Sequence, residues 1–140
     1  MTKKVLKIEY DYNFSLIGII TPMKDYRLAH FINRALELDL VRQELEIEVP
    51  ALVGLQSNYL NYYSFWVEES ETEFYFFSNK VSNSYLLPEL REVDFFLMQN
   101  PLHVREAEEN IKKLNKVERV SNAFLLDATA LKSKENLLLF

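Results

Sequence analysis

Residues 93–126 read VDFFLMQNPLHVREAEENIKKLNKVERVSNAFLL, an apolar run, a helical pattern and a second apolar run joined by short turns. Within it, Val104, Ala107, Ile111 and Leu114 recur at the spacing of one helix face, and Asn100-Pro101 supplies a cap and first-turn signal for a helix ending near Leu114 or Lys116. Glu108 precedes Lys112 and Glu109 precedes Lys113 by one helical turn, with acids early and bases late, which supports a helix without any ligand. Residues 93–98 and 120–126 then read as strands. Strand, helix and strand in that order are compatible with a right-handed parallel crossover.

Outward from this unit, residues 5–12 alternate, with Leu6, Ile8, Tyr10 and Tyr12 on one face and Lys7, Glu9 and Asp11 on the other. Residues 14–20 are apolar on both faces and fit either an extension of that strand or a buried turn. Thr21-Pro22 predicts the start of a helix running to about residue 38, with Leu28, Phe31, Ile32, Ala35 and Leu38 inward and Arg27, His30, Arg34 and Glu37 outward. Residues 44–49 alternate as a strand with Leu45, Ile47 and Val49 inward, ended by Pro50. Residues 62–68 and 72–77 flank Glu68-Glu69-Ser70-Glu71, which predicts a hairpin with an acidic tip. The Leu-rich end, residues 137–140, fits a short strand or a packed tail. The expected fold is a single α+β domain over residues 1–140, a two-layer sandwich whose mainly antiparallel sheet of about five to six strands carries two helices on one face.

Composition removes several kinds of chemistry. The chain has no cysteine, which excludes disulfides, thiolate zinc sites and cysteine nucleophiles. Gly18 and Gly54 are its only glycines, too few for phosphate-cradling loops. His30 and His103 are its only histidines and form no HExxH arrangement, so neither a metal nor another cofactor is expected. A formal charge of −5 argues against general nucleic-acid binding. With no secretory leader pattern and no apolar run near the roughly 18 residues of a membrane span, a cytoplasmic location is expected and no membrane association.

The stretch Leu87-Pro88-Glu89-Leu90-Arg91-Glu92-Val93-Asp94-Phe95 resembles the signature of the IPExxxVDY family of small bacterial proteins. Pro88, Glu89, Val93 and Asp94 match, while Leu87 replaces the Ile and Phe95 the final Tyr. Asp25-Tyr26-Arg27-Leu28-Ala29 and residues 131–137 also look typical of that family, and the resemblance implies no catalytic assignment. Pro88 stiffens the chain before Glu89. On a strand over residues 93–98, Asp94 shares a face with Phe96 and Met98 and needs donors or a cation, with Arg27, Arg91 and Lys132 as candidates. Glu89 and Asp94 as an acid/base pair is the functional reading. The favoured reading is structural, with Glu89 capping backbone amides and Asp94 anchoring a turn or ion pair. Lys132 and Lys134 are an anion site or, preferably, solvated lysines.

In the hairpin, Tyr63, Phe65 and Val67 alternate with Tyr62, Ser64 and Trp66, and Phe74 and Phe76 with Tyr75 and Phe77. Rings on both faces exceed what one helical layer covers, so Tyr62, Trp66, Tyr75 and Phe77 are candidate interface residues. The expected function is a non-enzymatic protein-interaction or structural module acting as a homodimer, with an unknown protein partner as the second possibility. The alternatives are a small-molecule binder or enzyme using Glu89 and Asp94, and an RNA-associated protein using Lys112, Lys113, Lys116 and Arg119.

Overall fold

The computed structural model describes residues 12–44, 46–49 and 58–140. Its strands are β1 (Ser15–Ile20), β2 (Val41–Arg42), β3 (Ile47–Val49), β4 (Asn58–Leu60), β5 (Tyr62–Val67), β6 (Thr72–Ser78), β7 (Lys80–Val81), β8 (Ser84–Tyr85), β9 (Phe95–Asn100) and β10 (Asn122–Leu126), with helices α1 (Asp25–Leu36) and α2 (Val104–Leu114). Six strands form one sheet in the order β10-β1-β9-β6-β5-β2, every neighbouring pair antiparallel. The two remaining pairs, β3-β4 and β7-β8, are small hairpin-like ladders. The expected strand over residues 5–12 lies outside the described residues except for Tyr12, as does Leu45.

The strand-helix-strand unit is present, but β9 and β10 do not touch. Both pair with β1, which runs antiparallel between them. The reason lies in β1 itself, whose Leu16, Ile17 and Ile19 are at most 1% exposed and so require partners on both edges and both faces. Within residues 14–20, Ser15–Ile20 therefore form an inner strand and not a turn. Gly18 faces close neighbours there, since a Cβ at this position would lie 3.1 Å from Leu126 Cδ1 and Phe124 Cζ.

Both helices begin later than their sequence signals. Thr21 Oγ1 accepts from Met23 N at 3.2 Å and donates to the Arg119 carbonyl at 2.7 Å, so it shapes the approach to α1 and leaves Lys24 as a cap without a side-chain bond. Leu28, Ala29, Ile32 and Leu36 form the buried stripe, and Glu37 ends the helix in a left-handed conformation (φ 55°). In α2 the cap is His103, whose Nδ1 accepts from Glu106 N at 3.1 Å, while Asn100 ends β9 and Pro101 lies in the turn after it. Val104, expected in the buried stripe, is 45% exposed, and Asn110 joins Ala107 and Leu114 inside.

Strand alternation divides the core into two layers. Ile17, Ile19, Tyr63, Phe74, Phe76, Phe95 and Leu97 face the helices. Leu16, Phe77, Phe96 and Met98 face the other way, where Leu60, Val81, Leu86, Leu87 and Leu137 cover them. Phe140 stacks on Phe77 at 4.3 Å and 21° and packs its ring against Tyr62 and Tyr75. Much of the ring surplus on this far face is thus buried within the chain, each large side chain contributing roughly 1.5–3 kcal/mol.

Three asparagines act as substitute strands. Asn33 receives the Leu40 amide at 2.8 Å and donates to the Leu40 carbonyl at 3.2 Å. Asn115 does the same for Ala123, at 2.8 and 2.9 Å, occupying part of the free side of edge strand β10 and so blunting it. Asn79 receives the Leu87 amide at 2.8 Å and holds the loop over residues 87–93.

Candidate functional site

Asn79 organises the stretch over residues 87–95. The residue is wholly buried, and its Nδ2 faces the carbonyls of Leu90 (2.8 Å), Val93 (3.0 Å) and Leu87 (3.4 Å). Around it, Pro88–Leu90 makes a 3-10 turn, as proline at a first helical position allows. Glu89 reaches from this turn to the Ser133 amide at 2.8 Å through Oε2, while its Oε1 is buried without a partner. Asn136 donates to the Leu86 carbonyl at 2.7 Å. The loop therefore grips the C-terminal segment that covers the far face of the sheet.

Asp94 lies one residue ahead of β9, not within it, and its partner is not a cation. Its Oδ2 accepts from the Thr21 amide at 2.9 Å, which ties the start of β9 to the end of β1. Arg91 instead lies over the Tyr85 ring at 5.9 Å, and Arg27 and Lys132 are exposed. Lys134 donates to the Thr129 carbonyl at 3.4 Å and sits over the Tyr12 ring. Glu89 and Asp94 thus serve backbone amides on different parts of the chain.

Asp25 lines a polar cleft of about 440 Å3 whose rim also carries Lys24 and Lys80. Its Oδ2 accepts from the Tyr63 hydroxyl at 3.1 Å. Burial, then the Asp25 charge and this bond, push the Tyr63 phenol up to about 12 from 10.0, with Arg42 opposing. The neutral phenol is the form folding favours, so its contribution is complete below pH 10.0 and disappears as pH rises from there to about 12. Tyr63→Phe is expected to cost about 1–2 kcal/mol at neutral pH, the worth of a hydrogen bond to a carboxylate, and to flatten this alkaline limb. Urea unfolding at stepped pH checks both, and an unchanged alkaline slope would remove Tyr63 as its source. Tyr75 is also raised, by burial first and then by Glu73 and Tyr62, so it adds a second late-titrating phenol.

At the other end of the β5-β6 hairpin lies a groove of about 540 Å3. Leu36, Leu38, Phe65, Val67 and Phe74 give it apolar walls, and Glu37, Glu68, Glu69 and Glu106 stand around them. These carboxylates come from three places: the end of α1, the acidic hairpin tip and the first turn of α2. Trp66 lines the same groove and is 51% exposed, and Val41, 54% exposed, pairs with Ser64 two residues away. Of the four candidate interface rings, Phe77 is buried, Tyr62 and Tyr75 are half-buried beneath Phe140, and Trp66 alone stays open.

The acidic tip was visible as a run of Glu in the sequence, whereas its meeting with Glu37 and Glu106 required the packed helices. Asn79 had no local signal, since an asparagine after a strand reads as a turn residue. Among the described residues, no three His, Asp or Glu side chains are grouped as a metal-ligand set, and no helix is long and apolar enough to cross a membrane. No family model matches the chain, and neither the curated proteins nor the solved structures contain a significant match to it.

Proposed function

We propose that this chain is a cytoplasmic, non-enzymatic protein-interaction module whose contact surface is the Trp66 end of the sheet. The carrying observation is that Trp66 and Val41, both more than half exposed, stand on adjoining strands, and that Trp66 lines an apolar groove. The engagement of Glu89 and Asp94 by backbone amides supports a scaffold role for them over acid/base work. By the same reading, the Pro88, Glu89, Val93 and Asp94 pattern shared with the IPExxxVDY family marks the clamp beneath the surface and not the surface itself. A net charge of −5 and an acid-rimmed groove make a second copy a poorer occupant than a partner of different composition.

Trp66 is the only tryptophan, so its emission reports directly on this surface. The immobilised wild type is expected to retain a host protein that a folded Trp66→Ala/Val41→Ser variant loses, with a blue shift of Trp66 emission on reconstitution. Both side chains are exposed, so the variant should melt within about 1 kcal/mol of the wild type. Equal retention by both proteins defeats the proposal. A dimer at micromolar concentration in sedimentation, abolished by the same substitutions, would give the surface to a second copy.

A further inference from the structure

We infer that the groove at Trp66 receives an extended, basic segment of a partner protein, its apolar side chains entering between α1 and β5 and its cations meeting the glutamates. This rests on the interaction reading above and adds the chemistry of the occupant. The groove, at about 540 Å3, is in the roughly 300–1,000 Å3 range of sites that hold ligands and side chains. Its apolar walls, Leu36, Leu38, Phe65 and Phe74, come from α1 and its exit, β5 and β6. Every charged residue lining it among those described is a glutamate. Four glutamates and no cation on this lining favour a basic occupant over a neutral one, and an acidic occupant would add to the like charge.

The backbone beside the groove favours an extended occupant. Gln43 N donates to the Tyr62 carbonyl at 2.9 Å, and β2 pairs as far as Ser64, so Tyr62, Ser64 and Trp66 turn their backbone groups to the outer side of β5. Leu40 is drawn away to Asn33, which ends β2 at Val41. Among the described residues, no strand pairs with Trp66 on that side. An extended segment supplies the missing N–H and C=O, alternating its side chains between the groove and the exposed Trp66 ring.

The test uses the whole chain, a labelled peptide of alternating Lys and Val, and its Glu-Val counterpart. Anisotropy and Trp66 emission should show the Lys-Val peptide binding at least about ten-fold more tightly, with affinity falling as ionic strength rises. Glu68→Lys/Glu69→Lys, both exposed turn positions, should melt like the wild type and bind roughly ten-fold more weakly. Glu37→Gly separates binding from stability, because glycine relieves the left-handed backbone there. It should melt higher than the wild type and bind a few-fold more weakly. Equal binding of the two peptides, or none by either, overturns the inference. If neither binds while a host protein is still retained through Trp66, the interaction surface stands and only its basic occupant falls. If retention is also independent of Trp66, both fall.

Discussion

Asn79→Asp is expected to cost about 4 kcal/mol or more, much of the 5–15 kcal/mol that holds a domain of this size together. The substitution changes one atom group, NH2 to O, and hardly alters volume. Yet it turns the donor facing the Leu90 and Val93 carbonyls, at 2.8 and 3.0 Å, into a third acceptor. Each buried carbonyl left unpaired costs about 1–3 kcal/mol, and a fully buried aspartate must also shed its charge or find a cation. The loss should spread, because the same loop grips the C-terminal segment through Glu89 and Asn136. Urea denaturation of Asn79→Asp and Asn79→Ser beside the wild type measures it. A loss below about 1 kcal/mol in both variants would mean that the loop holds its shape without Asn79.

Leu137→Ala is expected to cost about 2–5 kcal/mol, the usual range for emptying a fully buried leucine site. Leu137 is 1% exposed and joins Leu86, Leu87, Phe77 and Phe96 in the layer beneath the clamp. Loosening it weakens the hold on Phe140, whose stack on Phe77 and contacts with Tyr62 and Tyr75 close that face. Partial release would free a ring-rich surface, so the variant should bind a hydrophobic dye before it melts and self-associate as concentration rises. A variant that melts at the wild-type temperature would show that the rest of the far-face cover suffices. Monomeric behaviour with strong dye binding would show that the freed rings do not pair with one another.

Local pattern carried the hairpin. The alternation of Tyr63, Phe65 and Val67 with Tyr62 and Trp66, and of Phe74 and Phe76 with Tyr75 and Phe77, places each ring on the face where packing finds it. Pairing across β5 and β6 depends on neighbours only a few residues away, so period and turn chemistry suffice. The helix ends were less legible, because Thr21 and Asn100-Pro101 satisfy cap statistics while the Thr21 hydroxyl accepts from Met23 N and donates to Arg119, ahead of a helix that starts only at Asp25. Val104 follows the apolar spacing of α2 yet stays exposed, since spacing identifies a stripe but not how far the neighbouring sheet extends.

The carboxylates mark the boundary most clearly. Glu89 meets Ser133 across 44 positions and Asp94 meets Thr21 across 73, and nothing near either residue names that partner. The same holds for Glu37 and Glu106, solvated helix residues by pattern, which join Glu68 and Glu69 only because two helices lie over one hairpin. By itself the sequence determined the α+β class, the two-faced hairpin and the lack of any cysteine chemistry, because period, composition and turn residues act over a few bonds. Only the tertiary structure decided that β1 separates β9 from β10, that Phe140 closes the far face and that Trp66 stays open beside four glutamates. Those outcomes depend on which distant apolar surfaces bury one another, a choice made by the whole chain at once.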